Sequence, residues 1–278
     1  MPSLAFHPRE KFRSISITGT YCALNCDMCR GFYLRQMLPA NSPQILEKLC
    51  LKLRERGVEG FLISGGYDRR GALPVEPFLE SIKRIKKMTG ALISLHSGMI
   101  DPKILEGAED FIDLIDFEFL TSRESIKDIK KLNYTPEDYL DRMDSLSKIV
   151  RVVPHFILGL PGSSPSDVLS YLREVSRMTD EVVVLVLKPT PGAPGSKLSW
   201  SLEDLKNTLS EARKSVPSVT LSLGCMRPSG LKDVLDEHAV EIGFDRIANP
   251  RANLVEKYRM SVFKCCCSVP TSELWRFL

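Results

Sequence analysis

At 278 residues, with 43% hydrophobic and 26% charged side chains, the chain has ordinary globular composition, and no apolar run approaches the roughly 20 residues that span a bilayer. A net charge of +3, spread without a block of about five or six like charges, gives no nucleic-acid footprint and no membrane-surface patch, and no argument for an acidic carrier protein either. The amino terminus, MPSLAFHPREKF, places Pro, His, Arg and Glu where a secretory leader needs an unbroken apolar stretch, so a cytoplasmic location is expected, and the eight cysteines read as metal ligands or redox groups rather than a disulfide framework.

In chain order, short runs rich in Val, Ile and Leu predict buried parallel strands at 14–20, 60–66, 91–98, 114–121, 150–160, 181–190 and 219–228. Helical patterns separate them, several with a start signal. Asn41-Ser42-Pro43 precedes a helix with Leu46, Leu49 and Leu53 at helical spacing that stops at Gly57. Thr135-Pro136-Glu137, Ser164-Pro165-Ser166-Asp167 and Ser201-Leu202-Glu203-Asp204 open later helices in the same way. Seven β-α steps result, and 241–250 offers an eighth strand. The pattern predicts an α/β fold, a complete or partial (β/α) TIM-type barrel over residues 1–250, with an open doubly wound sheet as the alternative. Residues 251–278 read as a cysteine-bearing C-terminal extension.

Cys22, Cys26 and Cys29 follow the first predicted strand, on the face where such barrels carry their chemistry. The C-x3-C-x2-C spacing supplies three soft thiolates, suited to three irons of a 4Fe-4S cubane, and leaves the fourth iron open to a substrate or cofactor. A structural zinc site would need a second half-site that the sequence lacks. This loop, with Met28 before its last cysteine, resembles that of the radical S-adenosylmethionine (radical SAM) superfamily. The resemblance implies that the free iron chelates the amino and carboxylate groups of S-adenosylmethionine, which the reduced cluster cleaves to methionine and a 5′-deoxyadenosyl radical.

Other segments carry the same resemblance. In ISGGYD, Gly65 and Gly66 match the family's GGE segment, with Tyr67 in place of the glutamate. In HFILGLPG, Ile157 and Gly159 match the G-x-I-x-G-x-x-E adenine-contact segment, with His155 and Gly162 replacing its first glycine and its glutamate. LKPTPGAPGSKL looks like the family's P-x-x-G-T-P turn. His96 and Lys188 stand at the carboxyl edges of apolar strands and are expected to face the cofactor, while Asp116 and Glu118 share one side of their strand and suit a ribose or a basic partner such as Lys188. No proton transfer is assigned to them, because hydrogen-atom abstraction asks for positioning and dryness.

A second set of thiols ends the chain. On a strand Leu223, Cys225 and Arg227 share a face, so Cys225 and Arg227 are expected to reach the barrel mouth, with Lys188 and Arg227 at the reacting centre. Consecutive exposed thiols at 265 to 267 would invite oxidation. They are expected to fold back over the barrel, Cys265 and Cys267 joining Cys225 as ligands of a second, auxiliary iron-sulfur cluster, with Cys266 and Ser268 as alternates; Cys50 reads as a small buried hydrophobe.

An auxiliary cluster is similar to those of the sulfur-inserting members of the superfamily. Biotin synthase uses an arginine ligand, with which Arg227 is compatible, and the amino-terminal C-x4-C-x5-C segment of lipoyl synthase is absent. FHPREKFRSISITGTYCALNCDMCRGFYL, LGCMRP and the cysteine-rich tail most resemble one subunit of the archaeal two-protein lipoyl synthase. That resemblance implies conversion of a protein-bound octanoyl chain to lipoyl, with a second radical SAM subunit, an octanoylated lipoyl carrier protein and an electron donor such as ferredoxin as partners. The alternatives are a biotin-synthase-like maturase of a small molecule and a non-catalytic iron-sulfur subunit.

Overall fold

The computed structural model describes residues 3–278. Its strands are β1 (Leu4–Phe6), β2 (Phe12–Ser16), β3 (Leu38–Pro39), β4 (Gly60–Ser64), β5 (Leu92–Leu95), β6 (Leu114–Phe119), β7 (Val152–Leu158), β8 (Glu181–Val186), β9 (Thr220–Leu223), β10 (Arg246–Ala248) and β11 (Val262–Phe263). All are parallel within one sheet of order β11-β1-β10-β9-β8-β7-β6-β5-β4-β2-β3. From β4 to β10 the strands lie in chain order with no reversal, which sets aside the doubly wound alternative. The edge strands β3 and β11 share no ladder, so the barrel is partial, and the eighth predicted strand is present as β10.

The helices begin where the sequence placed their start signals. Helix α1 (Pro43–Arg54) is capped by the Ser42 hydroxyl, and α4 (Pro165–Val175) by that of Ser164, each with proline in the first turn. Thr135 with Asp138 and Ser201 with Asp204 form capping boxes at α3 (Pro136–Ser147) and α5 (Leu202–Ser215). With α2 (Leu79–Thr89), α6 (Lys232–Glu241) and α7 (Ala252–Lys257) they cover the outer face of the sheet in one continuous apolar core. No helix among the described residues is long and apolar enough to cross a membrane.

The inner face has two layers. Period-two alternation carries Phe12, Leu62, Leu92, Leu114, Val153 and Val183 into a lower layer, where they cluster with Phe6, Ala248 and, from the tail, Cys265, Cys267, Val269, Leu274 and Phe277. Residues from strands all around the sheet can meet one short tail only if the sheet curls about it. The tail thus runs inside the curl, below the mouth, rather than over it. Arg246 of β10, fully buried, fastens it: the guanidinium pairs with Glu181 of β8 at 2.6 Å and donates to Cys267 O (2.6 Å), Val269 O (2.8 Å) and the Thr271 hydroxyl (2.8 Å). One step further along the strands the inner face turns polar, with Ser64, Ser94, Asp116 and His155.

Candidate active site

Strand β2 ends at Ser16, four residues before the predicted end, where Gly19 takes a left-handed φ of 60°. The loop that follows carries the first three thiols. Asn25, Arg30 and Gly31 adopt positive φ and fold it into a tight strap. Three neighbouring loops then hold that strap by backbone hydrogen bonds: Leu24 N to Tyr67 O (3.0 Å), Asp27 N to Ile129 O (2.9 Å) and Gly195 N to Asp27 O (2.9 Å). Cys22, Cys26 and Cys29 are therefore placed by loops far apart in sequence. Beside Cys22 a recess of 420 Å³ opens, lined among others by Tyr21, Asn25 and Arg30.

The thiol chemistry suits metal binding. Within the Cys26–Cys29 pair, one sulfur hydrogen-bonds to the other, which holds the Cys26 thiol down at about 6 against the opposing effect of burial, and the Lys130 ammonium adds to this. The Cys29 thiol is correspondingly pushed up. Lys130 is itself buried and paired with Glu118 at 2.5 Å. Although burial opposes its charge, Glu118 and Cys26 raise its pKa well above the ordinary value. Among the described residues no three Cys, His, Asp or Glu side chains crowd closely enough for a single ion. Thiols spread along a strap suit a cubane, whose ligands sit on separate irons.

Gly65 and Gly66 end β4 directly under the strap. A Cβ on Gly66 would lie 2.1 Å from Tyr21 O and 2.5 Å from Cys22 Cα, and the Gly66 amide donates to the Thr18 hydroxyl at 2.6 Å. The pair therefore seats the cysteine loop. Tyr67, at the position of the family glutamate, lies below Lys130, 5.9 Å from its ammonium. Met28 is half-buried against the main core, Ile157 is buried, and Gly159 has a φ of 77° where a Cβ would strike Leu198. His96 faces the inner polar layer, with Nδ1 3.1 Å from the Ser64 hydroxyl, and burial lowers its pKa. Lys188 is exposed beyond the end of β8.

Arg227 departs from the expectation. Because β9 stops at Leu223, alternation does not extend to 227, and the guanidinium turns outward into an ion pair with Asp236 of α6 (2.6 Å) and donates to Ala248 O. Cys225 does reach the mouth: it is open to solvent there yet ringed by protein, and burial followed by the Cys266 charge raises its thiol. Cys266, half-buried against the apolar lower layer, has its thiol held down by hydrogen bonds from Cys267 and from Ser268 (3.3 Å), with burial and Asp116 opposing. Cys267 is raised by its contact with Cys266, by burial and by Cys225. Cys265 is fully buried in the apolar lower layer. Cys225, Cys266 and Cys267 bear on one another, and after burial Cys266 also raises the thiol of Cys265, which shares the apolar lower layer with Cys267.

Tyr33 spans the two thiol sets. Burial raises its phenol, and Cys29 and Cys225 both add to that, while its hydroxyl bonds Thr190 at 2.9 Å. The radical SAM superfamily model matches residues 16–175, more than half of the chain. The chain belongs to the radical SAM superfamily. Membership implies a 4Fe-4S cluster and S-adenosylmethionine, and the matched segment contains the strap with Cys22, Cys26 and Cys29.

Solved radical SAM structures share the fold. Methylornithine synthase has a TM-score of 0.61 at 16% identity, over 89% of this chain and 72% of its own. A maturase of the (FeFe)-hydrogenase gives 0.64 at 16%, over 89% of this chain and 57% of its own. Streptococcus suis SuiB, bound to S-adenosylmethionine, gives 0.59 at 13%, over 94% and 57%. The chain thus spans little more than half the length of the last two. No curated protein sequence matches it.

Lys130 and Tyr33 escaped the sequence reading. Tyr33 lies in a 3-10 helix of five residues and Lys130 ends a single π-helical turn, segments too short to show a period, and their partners Thr190 and Glu118 are 157 and 12 positions away.

Proposed function

We propose that this radical SAM enzyme inserts sulfur, as one subunit of a two-protein lipoyl synthase acting on a protein-bound octanoyl chain. The observation that carries the reading is the meeting of Cys225, Cys266 and Cys267 in the lumen, across Tyr33 from the cysteine strap. Thiols gathered beside a radical site suit an auxiliary iron-sulfur cluster, held by Cys225 together with cysteines of the extension, residues 251–278. With S-adenosylmethionine bound, the first cluster supplies a radical able to take a hydrogen atom from an unactivated carbon. The chain's own part is to hold and shield: Gly66 seats the strap, His96, Ile157 and Gly159 line the cofactor side, and Lys188 stands at the mouth. The apolar lower layer closes the lumen from beneath, which keeps water from a reactive centre.

A radical SAM barrel is also seen in SuiB bound to a precursor peptide, so the architecture accommodates a protein-borne substrate. A second radical SAM subunit, the octanoylated carrier and a low-potential donor such as ferredoxin are the partners this reading requires. Purified chain and partner, reduced without oxygen and given octanoylated carrier domain, should add sulfur to the carrier, read as intact mass. Release of 5′-deoxyadenosine with no sulfur on the carrier would return the chain to the small-molecule maturases. Clusters with no 5′-deoxyadenosine at all would leave only an iron-sulfur subunit.

A further inference from the structure

The charge that is spread along the sequence is not spread over the molecule. Because the strands are parallel, the loops that follow β2, β4, β6 and β8 all emerge at one end of the sheet. Those four loops, residues 17–42, 65–78, 120–135 and 187–201, carry ten arginines and lysines against five carboxylates, a surplus of five in a chain of net charge +3. Lys130 is buried against Glu118, and the other nine cations are exposed. Arg35, Arg69, Arg70, Lys127, Lys188 and Lys197 pair with no carboxylate among the described residues. Two of the carboxylates are already engaged: Asp27 lies between Arg30 (2.9 Å) and Lys131 (3.1 Å), and Asp68 accepts from the amides of Arg70 and Ala72. At the opposite end of the sheet, exposed Glu106, Glu109 and Asp110 lead into β6.

The surplus is fixed in place around the cysteine strap, because the loops that carry it are the ones that clasp the strap. An added Cβ at Gly71 would lie 2.8 Å from the Leu132 side chain, so the loop of Arg69 and Arg70 packs on that of Lys127 and Lys131. The Tyr33 hydroxyl bonds Thr190, which joins the short helix of Arg35 to the loop of Lys188 and Lys197. A rim held this way loses little freedom when a partner covers it. On the strap itself Tyr21 is 71% exposed and, with Asn25 and Arg30, lines the recess beside Cys22. Tyrosine and arginine are the residue types from which protein interfaces draw much of their binding energy. The rest of the mouth has no such surplus. The loop after β7, residues 159–164, has no charged residue, and Arg227 and Arg251, after β9 and β10, pair with Asp236 (2.6 Å) and Asp233 (2.8 Å).

We propose that this basic rim is the docking surface of an acidic one-electron carrier protein, which covers the strap with a carboxylate-rich face around its own redox centre. The inference takes from the reading above only the need for an external donor, which radical SAM chemistry has with or without sulfur insertion. The donor loses one electron, the cluster on the strap gains it, and that electron is consumed when the carbon-sulfur bond of S-adenosylmethionine breaks. A carrier of the substrate has to present its chain to the lumen instead, and the loops around the rest of the mouth are uncharged or paired within the chain. Opposite charge steers encounter and fixes orientation more than it adds affinity. The rim therefore acts on the rate at which the donor arrives, and salt screens that effect.

The test uses the full chain, reconstituted with iron and sulfide without oxygen, and a plant-type 2Fe-2S ferredoxin with a carboxylate-rich surface as the probe. The association rate of oxidised ferredoxin should fall by about 10-fold to 100-fold between about 0.01 M and about 0.15 M salt. Arg69→Glu, Arg70→Glu and Lys127→Glu combined should remove most of the association at low salt and its salt dependence. The same variant should release 5′-deoxyadenosine more slowly with reduced ferredoxin and at the parent rate with dithionite, which needs no docking. Lys48→Glu, Lys83→Glu and Lys87→Glu, exposed on α1 and α2, make the same change in net charge away from the rim and should leave ferredoxin association near the parent value. The salt dependence is read on the unaltered chain, so a misfolded variant does not decide the matter, and a parent rate that is flat in salt overturns the proposal. So does an equal loss in the two triple variants, or a rim variant that keeps ferredoxin association and loses binding of a lipoyl carrier domain. Salt-dependent association with no sulfur added to the carrier removes the lipoyl reading and leaves the docking surface standing.

Discussion

Gly66 ties a single missing side chain to the cysteine loop. Its virtual Cβ would meet backbone atoms of Tyr21 and Cys22, which cannot rotate away, whereas that of Gly65 would meet the Thr18 side chain at 3.0 Å, which can give. Gly66→Ala should therefore push the strap outward, at a cost of about 1–3 kcal/mol. Displacing a ligand by a fraction of an ångström should lower S-adenosylmethionine cleavage by about 10-fold to 100-fold. Gly65→Ala should cost less in both respects. Iron content after reconstitution and 5′-deoxyadenosine release measure the two, and equal behaviour of the two variants would remove the seating role. The cysteine spacing and the glycine pair were legible because both lie within one short segment. The reason for Gly66 was not, since its contacts come from residues more than 40 positions away, as with Thr18 at 48.

At the scale of elements, the helices were legible from their caps and the long strands from their apolar runs, because both signals are local. Strands β1, β3 and β11 were not, since runs of two or three residues carry no period and exist only by pairing with a preformed edge. Arg227 was misplaced for a related reason: period two was extended past the end of β9. Arg246, on a strand of three residues, has the larger structural role. Burial raises the Glu181 carboxyl to about 7, with Arg246 and Arg151 holding it below what burial alone would give. A native pKa above the unfolded carboxylate value contributes stability that is full below about pH 4.5 and is lost as pH rises through about 7. Arg246→Met removes the main counter-charge and drives the native pKa higher still. At about pH 8 the variant should lose about 3–5 kcal/mol, because the buried carboxylate then keeps only the half-exposed Arg151 as counter-charge. At about pH 5 the carboxyl is neutral, and the loss should shrink to the missing carbonyl partners, about 1–3 kcal/mol. Denaturant unfolding of parent and variant at both values reads the difference, and a penalty that does not grow with pH would take Glu181 out of the account.

At the scale of the molecule, an open barrel has a problem that a closed one lacks: its lower inner layer must be covered by something other than the next strand. Phe12, Leu62, Leu92, Leu114, Val153 and Val183 meet across the curl only by way of Val269, Leu274, Phe277 and the buried cysteines of the tail. The tail is in this sense part of the core, and its thiols reach the lumen because the apolar residues around them bury the segment that carries them. Stability and the second thiol set are thereby linked, which separates two kinds of change. Removing residues 264–278 should expose the six strand residues together, so that the protein binds a hydrophobic dye and loses its cooperative thermal transition while far-ultraviolet dichroism still reports helices and strands. Cys266→Ala removes one half-buried sulfur at the edge of the apolar layer and leaves its fully buried side chains in place, so its melting temperature in the cluster-free protein should fall by no more than about 4 °C. A truncated chain that still melts cooperatively would mean that the curled sheet holds its shape unaided, and that the tail is present for its cysteines alone.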